Sequence, residues 1–476
     1  MAGNQDTHLL KHFTNMENQG GMVIRDMPKF DLDLYIANYK GRTRFERLLN
    51  IGQCSVPLCV DALKAAVAEA LSGNDVHRYQ DALALIRVAA PNEPEAKVQQ
   101  SWISSVNSSN HETTKRLESE LKGYKNNLIK ESIRIGHRDL GEHYESMGKF
   151  GEAQAAYLQM GPDASTQFHV VDVGKHVIGA MLQKRDWAGI LANCNKMVSA
   201  KMTAEELATE QPYQRMVTGL AHLGLQKYRD AARSFLDVGD AIIAQRYNDV
   251  MSTNDVAVYG GLLALATFNR DDLQFYVMDN SSFRNFLELE PHIRKAVTMF
   301  VNGRYASCLE ILETYRTDYY LDVYLQKHVD SIYSAIRTKC IVHYFLPFSC
   351  VTLDTMNNTF GKPDLDVEKE LVQMIKSGSL KARIDTIDKL LVAVSTEPRI
   401  SMQIKGLETA KKYEKEALER IRRMSIAAAE LEVKGSQRKQ QGMVTGPISG
   451  MGGSLSDIDF AYPDSQIGGT DEGTMF

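Results

Sequence analysis

Leu380-Lys-Ala-Arg-Ile384, Asp385-Thr-Ile-Asp388 and Lys389-Leu-Leu-Val-Ala-Val394 decide the fold class. The first run alternates apolar and polar residues, the second is turn chemistry, and the third returns as an apolar run, which together predict a β-hairpin. It is the one convincing strand pair in the sequence. Upstream, helical periodicity predicts a long helix from Asp322 to Phe345 that stops at Pro347, and a shorter helix opened by Thr352 and closed near Gly361. A third helix runs from about Pro363 to Lys376, with Val367, Leu371, Met374 and Ile375 on one face and Gly378 as its C-terminal stop. Three helices followed by a hairpin make a winged helix, spanning about residues 322–394.

Downstream of the hairpin, residues 398–432 predict one last helix, carrying Leu407, Ala410, Tyr413, Ala417, Ile421, Met424, Ala428 and Leu431 at three-and-four spacing. Such a stripe wants a partner helix. Residues 433–476 are Gly- and Ser-rich with little apolar content and predict a disordered tail, as does the polar stretch 1–29 at the other end.

Between Phe30 and Leu346 nearly every window shows helical spacing, and a short pattern recurs where a helical hairpin would turn. Its copies are Met147-Gly-Lys-Phe150 with Ala153, Lys184-Arg-Asp-Trp187, Gln226-Lys-Tyr228 with Ala231, and Asn302-Gly-Arg-Tyr305 with Cys308. The aromatics are 37, 41 and 77 residues apart, the last interval leaving room for a degenerate copy near Phe275. This is the spacing of tetratricopeptide-like helix pairs, which stack because no pair can bury its apolar stripe alone. An irregular helical bundle is the alternative. The expected architecture is all-α with a small β-hairpin wing: a helical-repeat arm over residues 30–300, a domain over 301–397 containing the winged helix, and the C-terminal helix.

Composition narrows the function class. The 476 residues carry a formal charge of −5 and are 43% hydrophobic, which suits a globular chain with no global drive toward nucleic acid or an anionic membrane. No stretch approaches the roughly 20 apolar residues that span a bilayer, Met1 to Met27 lacks a signal-peptide core, and Ala2 excludes myristoylation. The six cysteines form no zinc-ligand spacing and read as small core residues in a reducing compartment, cytosol or nucleus.

No catalytic, cofactor-binding or metal-binding residue is assigned. The sequence has no HxH pair, and His8 and His12, although four apart, lack the Glu of HExxH. There is no G-x-S-x-G elbow, and Gly450-Met-Gly452-Gly453 lacks the spacing that cradles phosphate. His137 and His143, near Asp139 and Glu142, read as polar contacts of a repeat helix. Winged helices can also bind nucleic acid through the third helix, but here Lys369 and Lys376 face Asp364, Asp366, Glu368 and Glu370. Lys381, Arg383 and Lys389 of the wing are too few to overturn that balance. In the last helix, Lys411, Lys412, Lys415, Arg420, Arg422 and Arg423 are interleaved with Glu414, Glu416 and Glu419, the pattern of a solvated face.

The edge groups of the wing invite strand addition, with Ala382, Ile384, Leu390 and Val392 as candidate packing residues, Ile384 and Val392 foremost. Tyr413, Ala417, Ile421, Met424 and Leu431 are the candidate contacts of the last helix. In the tail, Asp457-Ile-Asp-Phe-Ala-Tyr462 is an acidic-apolar run that could dock, against the reading of an unconstrained tail.

The long runs Ile133-Arg-Ile-Gly-His-Arg-Asp-Leu-Gly-Glu-His-Tyr144, Asn254-Asp-Val-Ala-Val-Tyr-Gly-Gly-Leu-Leu-Ala-Leu-Ala-Thr-Phe268, Ser281-Ser-Phe-Arg-Asn-Phe-Leu-Glu-Leu-Glu-Pro291 and Arg304-Tyr-Ala-Ser-Cys-Leu309 resemble the subunit-one family of the COP-nine signalosome. The resemblance covers roughly Leu32 to Leu431. A proteasome-lid subunit of the same architecture is the paralogue, and Tyr35-Ile-Ala-Asn-Tyr-Lys-Gly-Arg-Thr-Arg-Phe-Glu-Arg-Leu48 looks more like the signalosome family. The winged-helix segment from Leu353 to Asp388 matches in hydrophobic pattern more than in identities.

The resemblance implies a helical arm followed by a PCI domain, in a complex that removes the ubiquitin-like modifier from cullins and so regulates cullin-RING ubiquitin ligases. It implies a non-catalytic scaffold in nucleus and cytoplasm, the isopeptidase being another subunit. The implied partners are the other PCI and MPN subunits and the cullin-RING ligases, with no direct nucleic-acid or membrane contact.

Overall fold

The computed structural model describes residues 2–198, 204–361, 366–394 and 398–431. Two compact units divide at residue 395.

In the first unit, paired helices run from the N-terminus to Tyr320, and the recurring turn is their hinge. Met147-Gly148-Lys149 joins Lys130–Ser146 to Phe150–Gln159, Arg185-Asp186 joins Gln167–Lys184 to Trp187–Val198, Gln226-Lys227 joins Ala204–Gly224 to Tyr228–Leu236, and Gly303-Arg304 joins Pro291–Val301 to Tyr305–Tyr320. Each turn holds one residue in the left-handed region: Gly148 at φ 80°, Arg185 at 57°, Gln226 at 61° and Gly303 at 76°. The next N–H then reaches back to a carbonyl of the last helical turn, as in Lys149 N to Tyr144 O at 2.9 Å and Arg304 N to Met299 O at 2.8 Å. This double closure satisfies carbonyls that a bare helix end leaves free. The aromatic begins the following helix, and the residue three positions on, Ala153, Ile190, Ala231 or Cys308, is fully buried.

The copy expected near Phe275 takes another form. There a short helix, Arg270–Leu273, runs on into a single π-helical turn, Gln274–Met278, and Phe275 is 67% exposed. No left-handed residue precedes it, so no hinge of the recurring kind forms.

The expectation of a disordered stretch over residues 1–29 is corrected. Ala2–Asn18 is helical, Phe13 is buried with the helices Gly41–Cys54, Cys59–Leu71 and Val76–Ala89, and Ile24 forms a parallel bridge with Ser55. Phe13 and Ile24, with Leu9, Met22 and Val23 partly buried beside them, anchor a segment whose composition is polar.

This N-terminal cluster also takes in Leu321, and a buried charge network ties it to the rest of the unit. Arg47 Nη2 lies 2.7 Å from Asp255 Oδ2 and its Nη1 2.7 Å from Asp322 Oδ2, with the guanidinium 4.1 Å from the Tyr39 ring centroid. Tyr39 donates to Asp255, Tyr259 donates to Asp322, and Arg47 also donates to Tyr35. Asp255 doubles as the third residue of a capping box with Ser252, which starts the helix Thr253–Thr267.

A second correction falls at Asp322. The helix predicted from there begins only at Val329, and residues 323–328 run in turns. The Asp322 carboxylate accepts the backbone N–H groups of Tyr324 and Leu325, both at 2.8 Å, while also holding Arg47 and Tyr259, so the buried network fixes its place.

Val329–Phe345 is the first helix of the winged helix, followed by Leu353–Phe360, capped by Thr352, and Val367–Lys376 with Gly378 left-handed just beyond its end. Pro363, the predicted start of that last helix, lies outside the described residues. Between the first two helices runs a strand absent from the sequence reading, β1 (Cys350–Thr352), which joins β2 (Ala382–Asp385) and β3 (Leu390–Ala393). The sheet is antiparallel in the order β1-β3-β2, with Val351 opposite Leu391 and Ile384 also opposite Leu391. One apolar core continues from Ala153 through the arm to Leu391, so arm and winged helix are packed as one body.

The second unit contains the helix Pro398–Ala428. Its last turn closes with Glu430 left-handed and Leu431 N bonded to Ile426 O at 3.2 Å. Leu431, counted in the helical stripe, therefore lies just past the helix end.

Candidate assembly surface

The wing is three-stranded, and this changes which groups it offers. β3 is central, and the backbone groups of Leu390 and Val392 face β2, opposite Asp385 and Arg383, rather than lying at an open edge. β1 and β2 are the two outer strands, and β2 is the one that belongs to the predicted hairpin. Val394 N donates to Lys381 O at 3.1 Å, and the antiparallel alternation from that bond turns the backbone groups of Arg383 and Asp385 toward β3. Those of Ala382 and Ile384 consequently point to the open edge.

The side chains of the four predicted wing contacts divide by face. Ala382 is 5% exposed and belongs to the core of its own chain, which corrects its assignment as a contact side chain. Ile384 packs partly on the same core, beside fully buried Leu391. Val392 is 38% exposed on the opposite face, and Leu390 is half-buried. What β2 presents is thus backbone at Ala382 and Ile384, while the apolar side chains that the wing leaves in solvent are Val392 on β3 and Ile387 in the turn.

On the C-terminal helix, Leu407, Tyr413, Ile421 and Met424 are all more than half exposed, as is Leu431 beyond its end, while Ala417 is half-buried. A continuous apolar stripe at this spacing, left to water, is the signature of a helix built for a partner. Its ion pair Arg423 to Glu419, at 2.9 Å, is largely in solvent and contributes little. The tail motif Asp457 to Tyr462, with the rest of 433–476, lies outside the described residues.

His143 Nε2 lies 2.9 Å from Thr114 Oγ1 and 3.2 Å from Asn110 O, tying two helices together. His137 is buried with no partner for Nδ1, and burial lowers the pKa of both imidazoles. His12 packs edge-on against Phe13. Among the described residues no group of three or more His, Cys, Asp or Glu is arranged to hold a metal ion. Five cysteines are buried and free, and Cys350 is exposed on β1, unlike the core role expected of all six.

The buried network around Arg47 was not foreseen, although Arg47 stands in the quoted run from Tyr35 to Leu48. An Arg in an amphipathic helix usually faces water, and only the side-by-side placement of Asp255 and Asp322 makes its burial favourable.

Residues 99–275 match the family model described as 26S proteasome subunit RPN7, and residues 312–394 match that of the PCI domain. COP9 signalosome complex subunit 1 of Neurospora crassa is 48% identical over 444 residues, covering 93% of this chain and 97% of that protein. COP9 signalosome complex subunit 1 of Emericella nidulans is 44% identical over 422 residues, covering 86% of this chain and 84% of that protein. The 26S proteasome non-ATPase regulatory subunit 6 of Dictyostelium discoideum is 20% identical over 177 residues, 37% of this chain and 46% of that protein, so the paralogue is the distant relative. Identity at this level over nearly the full length, on a helical arm ending in a PCI domain, means that the chain belongs to the COP9 signalosome complex subunit 1 family.

Proposed function

We propose that the chain is a non-catalytic scaffold subunit of a signalosome complex that removes the ubiquitin-like modifier from cullins and thereby regulates cullin-RING ubiquitin ligases. The observation that carries the reading is the conjunction of an open β2 edge with an apolar stripe exposed along Pro398–Ala428. The first can add a strand from another PCI subunit, and the second can enter a shared bundle with PCI and MPN subunits. The arm, about residues 30–300, is then the part that meets substrate assemblies. Residence in nucleus and cytoplasm is part of the same proposal.

The test is purification of the tagged full chain from its own cells at moderate salt, with identification of what accompanies it and an assay for cleavage of modifier from cullin. Signalosome subunits together with activity that the isolated chain lacks support the scaffold reading. Recovery of proteasome subunits, or cleavage by the isolated chain, overturns it.

A further inference from the structure

A cavity of about 340 Å³ opens beside the Arg47 network, where the segment Lys29–Tyr39, the start of Thr253–Thr267, the junction at Pro291 and the end of Tyr305–Tyr320 converge. Its walls are aromatic: Tyr35, Tyr39, Tyr315 and Tyr319 line it, together with His292, which stacks on Tyr315 with ring centroids 3.9 Å apart. Its charge is acidic. Of the four lining carboxylates, Asp255 and Asp322 are held by Arg47, whereas Glu290 and Asp318 are not.

Glu290 accepts from Asn254 Nδ2 at 2.7 Å and lies 3.3 Å from His292 Nδ1, so it is oriented but not fully neutralised. Asp318 has less. Among the described residues its donor is the Lys29 backbone N–H, at 2.8 Å, and no cation pairs with it. The Lys29 side chain is exposed at the rim. Burial pushes the Asp318 carboxyl above its ordinary value, with Glu290 adding to the effect and the Lys29 N–H, His292 and the Lys29 charge opposing it. A half-buried carboxylate without a counter-cation, set in a cavity lined by aromatic side chains, has the chemistry that receives an organic cation: the carboxylate offers the opposite charge and the aromatic lining a surface that favours cations.

We propose that this cavity binds an aliphatic ammonium group, brought by a lysine side chain of another protein or by a free polyamine. The volume lies at the small end for ligand pockets, matching one extended side chain or a slender amine better than a ring system. The site does not rest on the assembly role above, and its failure would leave that role standing.

The test is calorimetric titration of the full chain with N-acetyl-lysine methylamide, with spermidine, and with N-acetyl-norleucine methylamide, which has the same stem without the charge. Saturable binding of an ammonium probe, absent for norleucine, is expected. Stronger binding of the lysine probe assigns the source to a protein, and stronger binding of spermidine assigns it to a polyamine. Asp318→Asn and Tyr315→Leu should each weaken binding about tenfold or more while the chain stays folded, and Tyr315→Leu carries the test alone if the first variant folds poorly. No saturation by either ammonium, equal binding of norleucine, or unchanged affinity in a folded Asp318→Asn variant overturns the proposal.

Discussion

Arg47 Nη2 and Asp255 Oδ2 are 2.7 Å apart across 208 residues of sequence, both side chains almost wholly withdrawn from water. The pair, with Asp322, fixes the N-terminal helices to the start of Thr253–Thr267 and to the segment leading into the PCI domain. Removing only the cation strands two buried carboxylates. Arg47→Ala should therefore lower stability by about 3–5 kcal/mol, read as a shifted urea midpoint, and Arg47→Lys should recover only part, because one ammonium cannot bridge two carboxylates as the fork does. A loss under 1 kcal/mol in Arg47→Ala would show that the network does not hold the two parts together.

The hinges make a prediction of opposite signs at equivalent positions. Gly303 has φ 76° and open space where a Cβ would sit, so Gly303→Ala should cost about 1 kcal/mol from backbone strain alone. Gln226 occupies the same left-handed position at φ 61° with an exposed side chain, and Gln226→Gly should stabilise by about 0.5–1 kcal/mol. Thermal unfolding of the two variants checks both directions.

Acidification should destabilise the chain from neutral pH downward. Burial lowers the imidazoles of His12, His137, His143, His222, His328 and His343 below 6.5, so the unfolded chain binds more protons than the folded one as pH falls through 6.5. Their contribution is complete above 6.5 and is lost toward the lower folded values. Asp255, pushed up to about 6 by burial with Asp322 adding, opposes them, since its folded form takes up a proton more readily. The melting temperature should thus fall between pH 7.5 and 6. His137→Leu, which removes a buried imidazole with an unpartnered Nδ1, should flatten that slope; an unchanged slope would contradict the assignment.

For the wing, position matters more than side chain. Ile384→Pro deletes an N–H that faces the open edge and should keep the sheet, costing about 1–2 kcal/mol in packing while blocking strand addition and co-purification of partners. Arg383→Pro, one residue earlier, deletes an N–H turned toward β3 and should disrupt the sheet itself. Normal incorporation of a folded Ile384→Pro variant would exclude edge pairing at β2.

A chain ending at Glu397 should unfold at the same temperature as the full chain yet recover fewer partners, since Leu407, Tyr413, Ile421 and Met424 of the last helix are exposed in the isolated molecule. Full recovery of partners would exclude a bundle role for Pro398–Ala428.

Much of this was legible because it is local. The left-handed turn, the aromatic and the small residue three positions on are written within eight residues of each other, and so is the Thr352 cap. β1 was not legible. Three residues with one inward side chain, Val351, carry no measurable period, and they become a strand only because β3 lies alongside.

By itself the sequence determined the helical class, the hinges between helix pairs, the wing hairpin, the stripe on the last helix and the family, all of which follow from periodicity, turn chemistry or long matching runs. Tertiary structure alone decided that residues 9–24 are anchored, that the helix after Asp322 begins only at Val329, that β2 rather than β3 offers an open edge, and that Arg47 is buried. Each of these depends on what stands opposite a residue in space, and the free energy of burying a charge or pairing an edge belongs to that neighbour as much as to the residue.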